Sequence, residues 1–129
     1  MSDQAAPRAT VGLIQLEGPS IWADSSISTD LDCTGGDVIG IIMPESWDDS
    51  SHISFQVSSG ALGATFHDLY TLDGHEVELP FVVPSSMVIV PEHVAPAIGF
   101  LRIRSGTRLN PVVQTETREF KVVIRPLKV

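Results

Sequence analysis

The chain has 129 residues, 43% of them apolar and 19% charged, with a net charge of −8 and one cysteine. That composition fits one folded domain and excludes a disordered chain, while the lone Cys33 excludes an intramolecular disulfide and any multi-cysteine metal cluster. No apolar run reaches the roughly 20 residues of a membrane-spanning helix, and the opening MSDQAAPRAT lacks the basic-then-apolar order of a signal peptide; the expectation is a soluble protein with no export signal and no membrane partner.

In chain order, residues 1–9 read as an N-terminal arm, ordered only where a partner holds it. TVGLIQLE (10–17) is the first predicted strand, and DVIGIIMP (37–44) is a buried one stopped by Pro44. Between them, PSIWADS carries Trp22, and DLDCTGGD carries Cys33 among acidic neighbours that raise a thiol pKa, so a half-buried, unreactive thiol is expected there. PESWDDSS (44–51) offers a short helical turn, and Trp47 within it is placed as a plug at one end of the fold. In HISFQVS, Ile53, Phe55 and Val57 alternate with Ser54, Gln56 and Ser58, the period of a half-buried strand. The glycine-rich SSGALGA connects it to TFHDLYTLDGHEVELPF, whose Asp73-Gly74 predicts a tight hairpin and whose Tyr70 shares an alternating face with Phe66 and Leu72, a core position. MVIV (87–90) is another short strand, PEHVAPAI (91–98) a second short helical candidate, and GFLRIRSG and REFKVVIRPL are the last two strands.

Nine prolines and ten glycines fall almost wholly between these runs; Gly12 and Gly40, inside them, mark bulges or close backbone approach. The fold class expected is all-β: a single antiparallel β-sandwich or jelly roll of about eight strands over 10–129, with the arm 1–9 extended from it.

Chemistry-bearing patterns are sparse. His52, His67, His75 and His93 lack zinc-ligand spacing; His67 and His75 face each other across the Asp73-Gly74 hairpin in this reading, with no third ligand nominated. No G-x-S-x-G elbow occurs, the carboxylate pairs Asp30-Asp32 and Asp48-Asp49 lie in hydrophilic loop text, and phosphate-cradling motifs are missing. The expectation is therefore no catalytic residue, no metal, no cofactor and no enzyme activity. The charge is divided along the chain: residues 1–98 hold 14 acidic side chains against Arg8 alone, whereas 99–129 hold seven bases against Glu116 and Glu119. If the last two strands are neighbours in one sheet, Arg102, Arg104, Lys121 and Arg125 form an outward basic face. Without aromatic side chains to stack bases, that face suits a protein partner rather than nucleic acid. Arg8, in the arm, joins these four as a candidate partner-binding residue.

Two resemblances follow from the motifs. ISFQVSSG, FHDLY and GFLRIRSGT, over about 52–106, resemble the galactose-binding-like, discoidin-type sandwich. Phe66 stands where that family usually has tryptophan, and SGALGAT lacks its acidic turn residue, so the resemblance implies the fold and no sugar ligands. Over nearly the whole chain, PESW before a strand, DLY before Asp-Gly, LRIRSGT and the closing QTETREFKVVIRP look like a group of small structural proteins of tailed bacteriophages and prophages. That resemblance implies a virion component, of head decoration (cement) or fibre type, whose partner is the major capsid protein or another virion protein. It places the chain on the capsid surface after assembly in the host cytoplasm, and a homo-oligomer is compatible with it. The alternative is a carbohydrate-binding module displayed on a head or tail fibre, with Trp22, Trp47 and Tyr70 as the sugar platform.

Overall fold

A computed structural model describes residues 13–33, 35–47, 52–58, 60, 65–80, 82–90 and 99–126. The expected arm with Arg8, Asp48, Asp49 and the segment 91–98 with His93 lie outside the described residues. Among the described residues there is no helix, and so none long and apolar enough to cross a membrane; the described part of the first helical candidate, 44–47, is irregular.

Strands form two antiparallel sheets. The first contains β1 (Ile14–Ile21), β3 (Gly36–Ile42), β7 (Met87–Ile89) and β9 (Arg118–Pro126), in the order β1-β9-β3-β7. The second contains β2 (Leu31–Asp32), β4 (Ile53–Ser58), β5 (His67–Asp68), β6 (Glu78–Leu79) and β8 (Phe100–Ser105), in the order β2-β8-β4-β5, with β6 also on β4. Because β8 pairs along the whole of β4, β5 and β6 share its other edge: Gln56 lies opposite Asp68, and Ser54 opposite Glu78.

The inner faces of both sheets meet in one core. Ile53 and Phe55 of β4, Leu101 and Ile103 of β8, Val38 and Ile41 of β3, and Phe120, Val122 and Ile124 of β9 are all buried in it. Each such side chain contributes about 1.5–3 kcal/mol of burial, which is what makes the period-two alternation of these strands legible. Trp47 closes the core edge-on to Phe120, ring centroids 5.5 Å apart.

Residues 10–12 of the predicted first strand lie outside the described residues, and β1 runs on to Ile21, past the predicted end at Glu17. It runs through Gly18 and Pro19 because the register shifts between Glu17 and Ser20, and an edge strand tolerates proline's missing donor. Gly40 sits at the shift between Val38 and Gly40, with Met87 Sδ 3.1 Å from where a Cβ would be. Asp73-Gly74 is a turn, Gly74 having φ 87°, in which the Thr71 N–H donates to the His75 carbonyl.

Candidate functional site

The outer face of the second sheet is where the polar residues gather. On β4 and β8, Ser54 lies opposite Arg104 and Gln56 opposite Arg102, all four pointing away from the core. Arg104 is nevertheless buried, 5% exposed. The chain between β5 and β6 leaves the sheet after Leu69, whose N–H still donates to the Phe55 carbonyl, turns at 71–75 and returns at Val77, and the two legs of this hairpin close over the arginine. Its Nη1 donates to Asp68 Oδ1 and its Nη2 to Glu76 Oε2, both at 2.6 Å, while Nε donates to Ser54 Oγ at 2.9 Å. Arg108 completes the cluster, with Nε 3.3 Å from Asp68 Oδ2 and its backbone N–H on Glu76 Oε2 at 3.0 Å. Burial alone raises the Asp68 carboxyl. The hydrogen bonds from Arg104 and Gln56, with the charges of Arg104 and Arg108, outweigh it and hold the pKa below the usual carboxylate range. Each nitrogen of the Arg104 guanidinium donates to a fixed acceptor, so the arrangement clamps a hairpin.

Beside it lies a second arrangement that faces solvent. After β1 the chain reverses through a turn in which the Ser25 N–H donates to the Trp22 carbonyl and Asp24 takes φ 64°, a conformation aspartate tolerates. The reversal leaves the Trp22 indole outside, 64% exposed. It lines a hollow of about 530 Å³ with Ser25, Thr29, Asp30 and Arg102. Arg102 Nε donates to Asp30 Oδ1 at 2.7 Å, and the guanidinium lies 3.8 Å from the centre of the Phe66 ring.

The expected four-residue basic face does not form. β8 and β9 belong to different sheets, so Arg102 and Arg104 are on one side of the molecule and Lys121 and Arg125 on the other. Arg104 is inside its clamp, Arg102 faces Asp30, Arg125 Nη2 is 3.4 Å from Asp37 Oδ2, and Lys121 is exposed opposite Glu17 and Ile42. The aromatic platform is likewise not assembled. Trp47 is in the core at 8% exposure, as its placement at the end of the fold required. Tyr70, expected in the core, is 42% exposed: Leu69 packs against the core and donates its N–H to the Phe55 carbonyl, so its neighbours Asp68 and Tyr70 take the outer face. It lines a separate hollow with Leu72, Asp73 and Val77.

His67 and His75 do not face each other: Val57 is opposite His67, Tyr70 bridges to Glu76, and His75 Nδ1 is 3.2 Å from Asp73. His52 Nδ1 is 2.7 Å from Glu78 Oε1. Among the described residues no group of three or more His, Cys, Asp or Glu could hold a metal ion. Sequence reasoning missed Asp68 and Glu76; the signal was present in FHDLY and GHEVEL, where Asp68, Glu76 and Glu78 interrupt otherwise strand-forming text.

Cys33 is free and fully buried, more so than expected, and its thiol is pushed up to about 11 by burial first and then by Asp32 and Asp37. Iodoacetamide at pH 8 is expected to leave the folded protein unmodified over a period that fully alkylates it in 6 M guanidinium (about a hundredfold protection, set by the rarity of opening); mass spectrometry of the two reactions checks this.

Comparison with known proteins returns no match: no family model, no curated sequence and no solved structure is recognisably similar to the chain.

Proposed function

We propose that the chain is a non-enzymatic structural protein of a tailed-bacteriophage particle that decorates the capsid and stabilises it by protein–protein contacts, on a jelly-roll framework. The strand order supports the framework. Counting β5 and β6, which share one edge of β4, as a single interrupted strand leaves eight, and β1-β9-β3-β7 against β2-β8-β4-β5 is then the order of two interleaved Greek keys. Jelly rolls serve viral shells and lectins alike, so the surface has to choose between them.

The observation that carries decoration is the apolar rim along both edges of the first sheet. Ile14 and Leu16 lie opposite Ile124 and Val122 and so share the core-facing side, yet remain exposed, with Leu13 beside them. Met87 and Ile89 are exposed on β7 at the other edge. An edge strand with exposed apolar side chains is a site for addition to a neighbouring protein, and a lattice of repeated sites makes weak single contacts sufficient. The partner is the major capsid protein or another virion protein, and the place of action is the capsid surface.

Purified protein is expected to co-sediment saturably with undecorated heads. Ile14→Lys with Leu16→Lys, or Met87→Lys with Ile89→Lys, is expected to weaken that binding at least about tenfold, whereas charge reversal at Lys121 and Arg125 leaves it unchanged. Absence of co-sedimentation would reject decoration. The second reading, a carbohydrate-binding module displayed on a head or tail fibre, is favoured by one observation, the exposure of Trp22 over a hollow.

A further inference from the structure

We infer that the hollow between Trp22 and the Asp30–Arg102 pair is a binding site for a neutral pyranose, an inference that rests on the carbohydrate-binding reading and assigns it to one place. The hollow has the two parts such a ligand needs. The exposed indole offers a flat apolar wall on which the C–H face of a sugar ring can lie. Lining the same hollow are a donor and an acceptor held in fixed relation: Nε of Arg102 bonds Oδ1 of Asp30, and the guanidinium carbon lies 3.8 Å from the centre of the Phe66 ring. Among the described residues the terminal nitrogens of Arg102 and Oδ2 of Asp30 make no hydrogen bond or ion pair, so both remain open to a ligand. Two neighbouring hydroxyls of a pyranose match them, one accepting from the guanidinium and the other donating to the carboxylate.

The immobilisation is the part that exposure alone does not supply. A free surface arginine loses rotamer freedom when it binds, and that cost cancels most of one hydrogen bond. Here the ion pair and the ring contact have already ordered it. Ser25 and Thr29 are tied to the backbone: Thr29 Oγ1 accepts the Ser20 N–H at 3.1 Å, and Ser25 Oγ both accepts the Ile27 N–H and donates to the Ile27 carbonyl at 3.2 Å. Recognition centres on the exposed Trp22 and the ordered Asp30–Arg102 pair.

Charge selects among sugars. Asp30 cancels the charge of Arg102 within the hollow, and the chain as a whole carries −8. A uronate or sialate meets no net positive centre and a repulsive field, while a neutral hexose meets neither penalty. The site is shallow and open, so one ring is expected to bind with a dissociation constant on the order of 1–10 mM, with many copies on one surface supplying avidity.

The test uses the full chain without phage heads. Its two tryptophans differ sharply, Trp22 exposed and Trp47 buried, so acrylamide quenching of the intrinsic fluorescence reports almost wholly on Trp22. Methyl glycosides of glucose, galactose, mannose and N-acetylglucosamine are titrated beside glucuronate. At least one neutral glycoside is expected to protect the fluorescence saturably, with glucuronate protecting least. In saturation-transfer NMR, Trp22→Ala and Asp30→Asn are each expected to weaken the same glycoside at least about tenfold, with the urea midpoint shifted no more than loss of an exposed ion pair shifts it. Binding that survives Trp22→Ala would keep a carbohydrate module and overturn this site; preferential binding of glucuronate would overturn its neutral selectivity. No binding by any of the four neutral glycosides overturns the inference and leaves decoration, which the head co-sedimentation tests separately, untouched.

Discussion

Replacing Arg104 by methionine is expected to lower the unfolding free energy by about 3–5 kcal/mol, read as a shift in the urea midpoint. The side chain is 6% exposed and its partners Asp68 and Glu76 are 22% and 13% exposed, so none of the three can recover its hydration when the guanidinium is removed. Asp68 and Glu76 would keep only Arg108, through an exposed side chain and a backbone N–H, and Ser54 would lose its donor. Arg102→Met is the control. It too breaks an arginine–aspartate pair at short range, but those side chains are 33% and 48% exposed, and water replaces the lost partner at a cost of at most about 1 kcal/mol. Equal costs for the two replacements would mean that the hairpin is held by its backbone bonds alone.

The same cluster sets a pH dependence whose sign is fixed. The Asp68 pKa is lower in the folded protein than its unfolded value of 3.8. Its contribution to stability is therefore complete above that value and is lost as the pH falls from there through the folded pKa. Asp68→Asn is expected to flatten the stability profile over that acid interval and to leave the profile's shape near neutrality unchanged.

How much of this was legible from the residues differs by level. Alternation identified β4, β8 and β9 and put Phe55, Ile103, Phe120, Val122 and Ile124 on the core side, because each strand has one face committed to apolar burial. It could not say which strands are neighbours. Arg102 and Arg104 were grouped with Lys121 and Arg125 because both strands are basic and adjacent in sequence, yet pairing is a long-range choice that put β8 beside β4 and β9 between β1 and β3. Nor does alternation say what covers an outer face. Ser54 and Arg104 point away from the core as their positions imply, and are buried because a hairpin from elsewhere folds over them. The hollow at Trp22 was invisible for the same reason: its wall comes from the turn after β1, its ion pair from Asp30 and β8, and the ring beneath the arginine from Phe66.

Gly106→Ala is expected to cost about 3 kcal/mol or more, and Gly74→Ala only about 1 kcal/mol, although both glycines sit at φ near 90°. The shared part of the cost is the backbone conformation, which a Cβ disfavours. The difference is space. Nothing lies within 4 Å of a Cβ built on Gly74, whereas one on Gly106 would be 2.4 Å from the Asn110 carbonyl oxygen, 2.8 Å from the Val112 nitrogen and 3.0 Å from the Pro111 Cα. These are backbone atoms, which cannot rotate away as a side-chain end can, so the loop 107–111 itself must move. That loop is tied on both sides of the strand end: the Gly106 N–H donates to the His52 carbonyl, the Gly106 carbonyl accepts from Ser54 Oγ, and the Val112 N–H donates to the Ser105 carbonyl. It also carries Arg108 to Asp68 and Glu76. Gly106→Ala is therefore expected to loosen the Arg104 cluster as well, and to lower the cost of Arg104→Met when the two are combined. Strict additivity of the two replacements in a double-mutant cycle would show that the turn and the clamp are independent.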